Sequence, residues 1–148
     1  ESVSVKPIVE EIGGMIELKA DKPVDIEIEI PDSLTVHADS LHFGNMISNL
    51  LDNAVKYSRE TVSIKVKADA DCIIVSDNGI GISKEDLPYI FDKFYRVSSG
   101  DRYEVGGYGL GLYYVSQIAT LHGWSVEAES NPGVGTEFKI NMSENEKR

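Results

Sequence analysis

Ile47, Leu50, Leu51 and Ala54 recur at the three- and four-residue spacing of a single helical face, and this apolar stripe constrains the chain more than any other feature. It demands a helix from about Ser40 to Tyr57 that packs on a core, with Asp39 placed to cap the first turn. On the flank beside the stripe stand Asn49 and Asn53, four residues apart, with Lys56 three further on. A buried amide without a partner costs on the order of 1–3 kcal/mol, so two amides bordering a core call for either water or something bound.

Strand periodicity surrounds this helix. "KPIVEEIGGMIEL" (Lys6 to Leu18) predicts a helix with Pro7 in an early position and twin glycines, Gly13 and Gly14, inside it. "DIEIEI" (Asp25 to Ile30) alternates strictly, as a half-buried strand with one wet acidic face does, and a short strand near Val36 leads to Asp39. "TVSIKVKA" and "CIIVSD" predict two strands around an Ala-Asp-Ala-Asp turn, the second apolar enough to be central. "KEDLPYIFDKFYRV" reads as a short helical stretch interrupted near Pro88, followed by the polar "SSGDRYEVGGYG", where a mobile loop is expected. "LGLYYVSQIATLHG" predicts a helix that opens at a glycine cluster and stops at Gly123, and "SVEAES", "NPGVG" and "TEFKINM" an antiparallel hairpin. The charged end "SENEKR" is expected to fray. After the first helix the order is β–α–β–β–α–α–β–β. Such an order favours an α/β (α+β) two-layer sandwich: a mixed, mostly antiparallel sheet covered on one face by helices, with residues 1–148 forming one domain.

At 148 residues no disulfide staple is needed, and the single Cys72, flanked by Ile73, Ile74 and Val75, reads as a core strand residue in a reducing, cytosolic setting. No apolar run approaches the ~18 residues of a membrane span, and the acidic start is no signal peptide, so no direct membrane contact is expected. A net charge of −11 without a basic patch argues against nucleic acid. Any anionic ligand must be met by the few local cations, chiefly Lys56, Lys93, Arg96 and Arg102, helped by a metal ion or helix dipoles.

Three glycine clusters follow the asparagine helix: Asp77-Asn78-Gly79-Ile80-Gly81, Gly107-Tyr108-Gly109-Leu110-Gly111-Leu112, and Gly133-Val134-Gly135-Thr136. "NPGVG" by itself is turn punctuation, but the second cluster opens a helix, whose free N–H groups and dipole favour phosphate. Neither a P-loop nor a dinucleotide-binding glycine pattern is present. Asp77, at the end of an apolar strand, suits two roles: a turn-forming aspartate, or an acceptor for an exocyclic amine such as adenine's, which guanine's carbonyl oxygen would not satisfy.

Taken in order, "NLLDNAVKY", "DNGIG", "IFDKFYRV", "GGYGLGL" and "GVGTEF" make the chain resemble the ATP-binding catalytic domain of sensor histidine kinases, in the GHKL ATPase superfamily, from about Lys6 to Ile140. The resemblance implies the Bergerat-type ATP-binding fold, ATP and Mg2+ as cofactors, and transfer of the γ-phosphate to a histidine on a separate dimerisation and phosphoacceptor domain, with a response regulator downstream. It implies that Asn53 and Asn49 serve the magnesium and phosphates, that Lys56 and Tyr57 face the phosphates, and that Asp77 takes the adenine amino group. Gly79 and Gly81 would let the chain pass close to the base, with Thr136 near Asp77. Phe91, Phe94 and Arg96 match the family's phenylalanine box, where aromatics anchor a lid over residues 98–106 and the arginine approaches the γ-phosphate; by spacing alone the two phenylalanines are packing residues. Gly107, Gly109, Leu110 and Gly111 match the lid's closing hinge and the phosphate-binding helix start. Asn49, Asn53, Lys56 and Arg96 are thus the candidate catalytic residues.

Two departures stand out: Tyr108 occupies a place where relatives commonly carry a small hydroxyl residue, and Trp124 one commonly held by glycine. Related ATPases such as gyrase place a water-activating glutamate one turn before the magnesium-binding asparagine. Here Asn49 stands there, and an amide is no general base near neutral pH, which disfavours hydrolysis and prefers an external nucleophile. His37 lies in a short strand, His42 is expected to be exposed or capping, and His122 to be structural near a helix end. None has a phosphoacceptor context, so that segment is expected before Glu1, in a cytoplasmic portion of a parent sensor. Two alternatives share the pocket: a nucleotide-binding module without transfer activity, and an anti-sigma-type serine kinase.

Overall fold

The computed structural model describes residues 1–95 and 111–142. Five strands form the main sheet: β2 (Val24–Glu29), β4 (Val62–Ala68), β5 (Cys72–Asp77), β7 (Gly135–Asn141) and β6 (Ser125–Asn131), in that spatial order. β2 and β4 run parallel because the chain between them crosses over through a helix; the other neighbours are antiparallel. β5 is central, as its apolar run requires.

Helix α1 (Val5–Lys19) lies on β2, α2 (Ser40–Lys56) on β4 and β5, and α3 (Gly111–Leu121) on β6. Strand alternation selects the covered face. Val62, Ile64 and Val66, then Ile73 and Val75, then Phe138 and Ile140 are buried against Phe43, Met46, Ile47, Leu50, Leu51 and Ala54 of α2 and Val115, Ile118 and Ala119 of α3. Each of the larger of these side chains, the alanines aside, contributes about 1.5–3 kcal/mol by leaving water. The opposite face stays wet: Asp25, Glu27 and Glu29 are exposed, and the Lys65 ammonium sits 3.5 Å from Glu29. The mixed two-layer sandwich expected from the sequence is the observed fold.

Asp39 caps α2, its carboxylate accepting the His42 N–H at 2.9 Å, which holds its pKa below the usual aspartate value. At the far end of α3 the Trp124 and Gly123 N–H groups return to the carbonyls of Ala119 and Thr120 at 2.8 and 3.0 Å, a six-residue closure that ends the helix at the expected glycine. Trp124, buried, meets the Phe43 ring edge-on and stacks on His122.

Three details differ from the sequence reading. Residues Ser2–Ser4 form a strand, β1, paired antiparallel with β3 (Thr35–His37) in a separate two-stranded sheet; a three-residue strand whose partner lies over thirty residues away leaves no local signature. Of the helical stretch expected over 84–97, the described part, up to residue 95, holds a single 3-10 turn, Leu87–Tyr89. Pro88 removes a donor, and Phe94 at φ 67° is incompatible with continuing a helix. Cys72 is not in the core. The pleat that sends Ile73 and Val75 inward turns it to the open face, half-buried, where desolvation still raises its thiol pKa.

Candidate functional site

α2 supplies the polar flank of a cleft. Asn49 donates from Nδ2 to the Asn45 carbonyl one turn back at 2.8 Å, which commits its nitrogen to the helix. Its Oδ1 faces the first turn of α3: a Cβ built on Gly111 would lie 3.2 Å from it. Asn53, one turn on, lines the cleft itself. Both amides are half-buried, and among the described residues no buried side-chain N or O atom lacks a partner, so the desolvation cost raised by the sequence is avoided by opening the flank to the cleft.

The cleft spans about 440 Å³ of space, open solvent at its mouth included. Asn53, Tyr57, Asp77, Gly81, Ile82, Ile90, Tyr95, Leu112 and Thr136 line it. Its floor is the loop after β5, pinned on two sides: the Ile80 N–H donates to the Tyr57 carbonyl at the end of α2 (2.9 Å), and the Ile80 carbonyl accepts from Gly133 in the β6–β7 turn (2.8 Å). Glycine is required for this double approach. A Cβ on Gly79 would fall 2.5 Å from the Tyr57 carbonyl oxygen, and one on Gly81, at φ +81°, would fall 2.4 Å from the Asn131 carbonyl oxygen. The first and third glycine clusters of the sequence therefore meet face to face.

Asp77 and Thr136 are register partners across β5 and β7, so their side chains stand side by side. Asp77 Oδ1 accepts the N–H of Gly79 at 2.8 Å and that of Thr136 at 3.3 Å. Oδ2 has no hydrogen-bond partner among the described residues. Burial pushes the carboxyl pKa above the ordinary aspartate value, and the two N–H donors pull the other way without cancelling it. The result is a half-buried carboxylate, fixed in orientation, with one lone-pair oxygen presented to a small-molecule cleft.

Of the residues singled out by sequence, Asn53, Tyr57, Asp77, Gly81 and Thr136 come together as cleft lining, Gly79 lies beneath it, and Asn49 and Gly111 border it. Lys56 is turned outward, its Nζ 3.4 Å from Asp52 Oδ2 in an exposed i,i+4 pair worth a few tenths of a kcal/mol. Lys93 places its ammonium 5.3 and 5.7 Å from the rings of Phe94 and Tyr113. Phe91 packs edge-on against Phe138, whereas Phe94 is 61% exposed. Arg96, Arg102, Gly107, Tyr108, Gly109, Leu110, the expected lid over 98–106 and the tail 143–148 lie outside the described residues.

Sequence reasoning missed the apolar walls, Ile82, Ile90 and Leu112, together with Tyr95, whose hydroxyl donates to the buried carboxylate of Asp86. It also missed Ser130, which a β6–β7 register would have set opposite Thr136. The histidines are all away from the cleft lining. His122 donates from Nδ1 to the Ile118 carbonyl at 2.8 Å and accepts the Asp39 N–H at Nε2 at 3.1 Å; His42 bonds Tyr114; His37 is exposed on β3.

For a metal, the described residues contain no cluster of three His, Cys, Asp or Glu side chains. Asn49 and Asn53 offer neutral amide oxygens, hard donors that suit a magnesium ion keeping its waters and sharing phosphate oxygens.

The chain from 38 to 146 matches the family model described as histidine kinase-, DNA gyrase B-, and HSP90-like ATPase. It is 46% identical over 111 residues to the sensor protein RprX of Bacteroides fragilis, covering 71% of this chain and 21% of that protein. Against the sensor histidine kinase YkoH of Bacillus subtilis it is 37% identical over 115 residues, 76% of this chain and 25% of that one. The chain thus spans only a fifth to a quarter of the length of these two relatives. In three dimensions the mycobacterial sensor histidine kinase MprB superimposes with a TM-score of 0.81 at 24% identity, covering 95% of this chain and 96% of that one, which is a likeness of fold. With the family model covering residues 38 to 146, well over half of the chain, the chain belongs to the histidine kinase-, DNA gyrase B- and HSP90-like ATPase family.

Proposed function

We propose that this domain binds Mg·ATP in the cleft between α2 and α3 and transfers the γ-phosphoryl group to a histidine carried by a separate dimerisation and phosphoacceptor domain of a two-component sensor kinase. The observation that carries the reading is Asp77. Its Oδ1 is held by two backbone N–H groups, and its Oδ2 meets the cleft as an acceptor, which selects a ligand edge that donates, as adenine's amine does. Ile82, Ile90 and Leu112 provide apolar walls for a flat base.

From that anchor the remaining roles follow along α2. Asn53 and Asn49 lie on the flank leading from the base toward the first turn of α3, where free N–H groups favour phosphate. Magnesium, when bound, neutralises phosphate charge, and the two amide oxygens are the groups that would hold it. Lys56 is one helical turn beyond Asn53, and its weak exposed pairing with Asp52 is easily exchanged for a phosphate. Arg96 and the 98–106 segment would complete the γ-phosphate end.

In the transfer step the acceptor imidazole nitrogen attacks the γ-phosphorus, the bond to the bridging oxygen breaks, and ADP leaves. The domain contributes orientation and charge stabilisation rather than a base. Asn49 cannot activate water, and His37, His42 and His122 lie away from the cleft lining, so the nucleophile comes from outside. The test is incubation of this domain with γ-labelled ATP, magnesium and a purified histidine-bearing helical hairpin. Acid-labile label on the hairpin, rising with hairpin concentration, is expected. Acid-stable label would replace histidine with serine as the acceptor, and label on His37, His42 or His122 would overturn the reading.

A further inference from the structure

We propose that Ser130 is a positioning residue that turns the Thr136 hydroxyl into a hydrogen-bond donor aimed at a ring nitrogen beside the exocyclic amine of the bound purine, an inference that rests on the nucleotide reading of this cleft. Ser130 and Thr136 are register partners across β6 and β7, which sets their side chains next to each other. Ser130 Oγ accepts the N–H of Ile82, a cleft residue, at 2.7 Å, which fixes the position of the oxygen. Its single hydroxyl proton then has two acceptors within reach, the Gly135 carbonyl at 3.0 Å and Thr136 Oγ1 at 2.8 Å.

The two choices set opposite polarities at the cleft. When Ser130 donates to Gly135, the Thr136 proton points back to Ser130 Oγ, and Thr136 offers the cleft only lone pairs. When Ser130 donates to Thr136, the Thr136 proton is released from Ser130 and points into the cleft that Thr136 lines. Thr136 is 7% exposed, so an unsatisfied proton there is costly without a ligand and well used with one. In a purine carrying an amine, the flanking ring nitrogens are acceptors. Asp77 accepting from the amine and Thr136, its register partner, donating to the adjacent nitrogen would read two neighbouring atoms of one base edge. Ser130 thereby affects ligand recognition without touching the ligand.

The experiment is a binding cycle by calorimetry with ATP, 1-deaza-ATP and 7-deaza-ATP, on wild type and Ser130→Ala. The wild type should bind one of the two deaza analogues more weakly than ATP, identifying which nitrogen is read. Ser130→Ala should lose about 3- to 10-fold in affinity for ATP and for the other analogue, but nothing for the analogue already lacking that nitrogen. Ser130→Thr, which keeps the hydroxyl, should restore the discrimination, and melting curves of both variants check the fold. Equal losses for all three nucleotides, or a wild type indifferent to both deaza substitutions, would overturn the proposal while leaving nucleotide binding intact. Failure of the wild type to bind any of the three would overturn the nucleotide reading, and this inference with it.

Discussion

Replacing Asp77 by asparagine separates the two tasks of this carboxylate. An asparagine carbonyl oxygen can take over from Oδ1, accepting the Gly79 and Thr136 N–H groups at 2.8 and 3.3 Å, so the glycine loop keeps its anchor. The amide nitrogen then stands where Oδ2 stood, and a donor replaces an acceptor. An adenine amine loses a hydrogen bond to a charged group, about 1.5–3 kcal/mol, or roughly 10- to 150-fold in affinity. A hypoxanthine base, with a carbonyl oxygen in place of the amine, gains a partner, so ITP should tighten as ATP weakens. The same substitution acts on the empty protein with the opposite sign. Burial raises the Asp77 pKa in the folded state, so its contribution to stability is fully present below the unfolded value of about 3.9 and is lost as pH rises through the raised folded value. Asparagine does not titrate. Without nucleotide, wild type should therefore fall behind Asp77→Asn as pH climbs from about 4 toward neutrality, and the variant should melt higher at pH 7. Calorimetry with ATP and ITP, and melting temperatures across that pH range, measure both effects. An unchanged ATP-to-ITP affinity ratio would refute the base-reading role, and a stability difference independent of pH would refute the desolvation argument.

Asn53→Ala should abolish magnesium-dependent nucleotide binding while shifting stability by no more than about 0.5 kcal/mol, because the side chain borders the cleft instead of filling the core; titration with and without magnesium, alongside a urea melt, checks it. Gly81→Ala should cost more than about 1 kcal/mol in a denaturant melt and weaken nucleotide binding as well, since a Cβ there, at φ +81°, meets the Asn131 carbonyl oxygen at 2.4 Å. Phe138→Ala should cost about 3–5 kcal/mol, as it empties the centre of the covered sheet face and removes the ring on which Phe91 packs; unfolding midpoints decide.

The elements were legible in the sequence because they are local. The stripe Ile47-Leu50-Leu51-Ala54, the alternation of Asp25–Ile30 and the apolar run of β5 each state which face is buried, and the sequence-neighbour antiparallel pairs β4–β5 and β6–β7 form local hairpins; the parallel β2–β4 pairing and the β5–β7 pairing that joins them are long-range. The order of the glycine clusters between these elements carried the family likeness, since glycine is demanded where backbones meet, whatever side chains surround them. Tertiary structure alone decided what depends on register and distance. β1 and β3 pair across more than thirty residues, Cys72 faces outward because its neighbours in the pleat face in, and Ser130 reaches Thr136 only once β6 and β7 are aligned. The polarity of Asp77 has the same origin: sequence supplied a carboxylate, but which oxygen is spent on the loop and which is left for a ligand was decided by two N–H groups, one of them on a strand fifty-nine residues away. Hydrogen bonds of that kind are set by the packing of whole elements, and no local pattern of residue types encodes them.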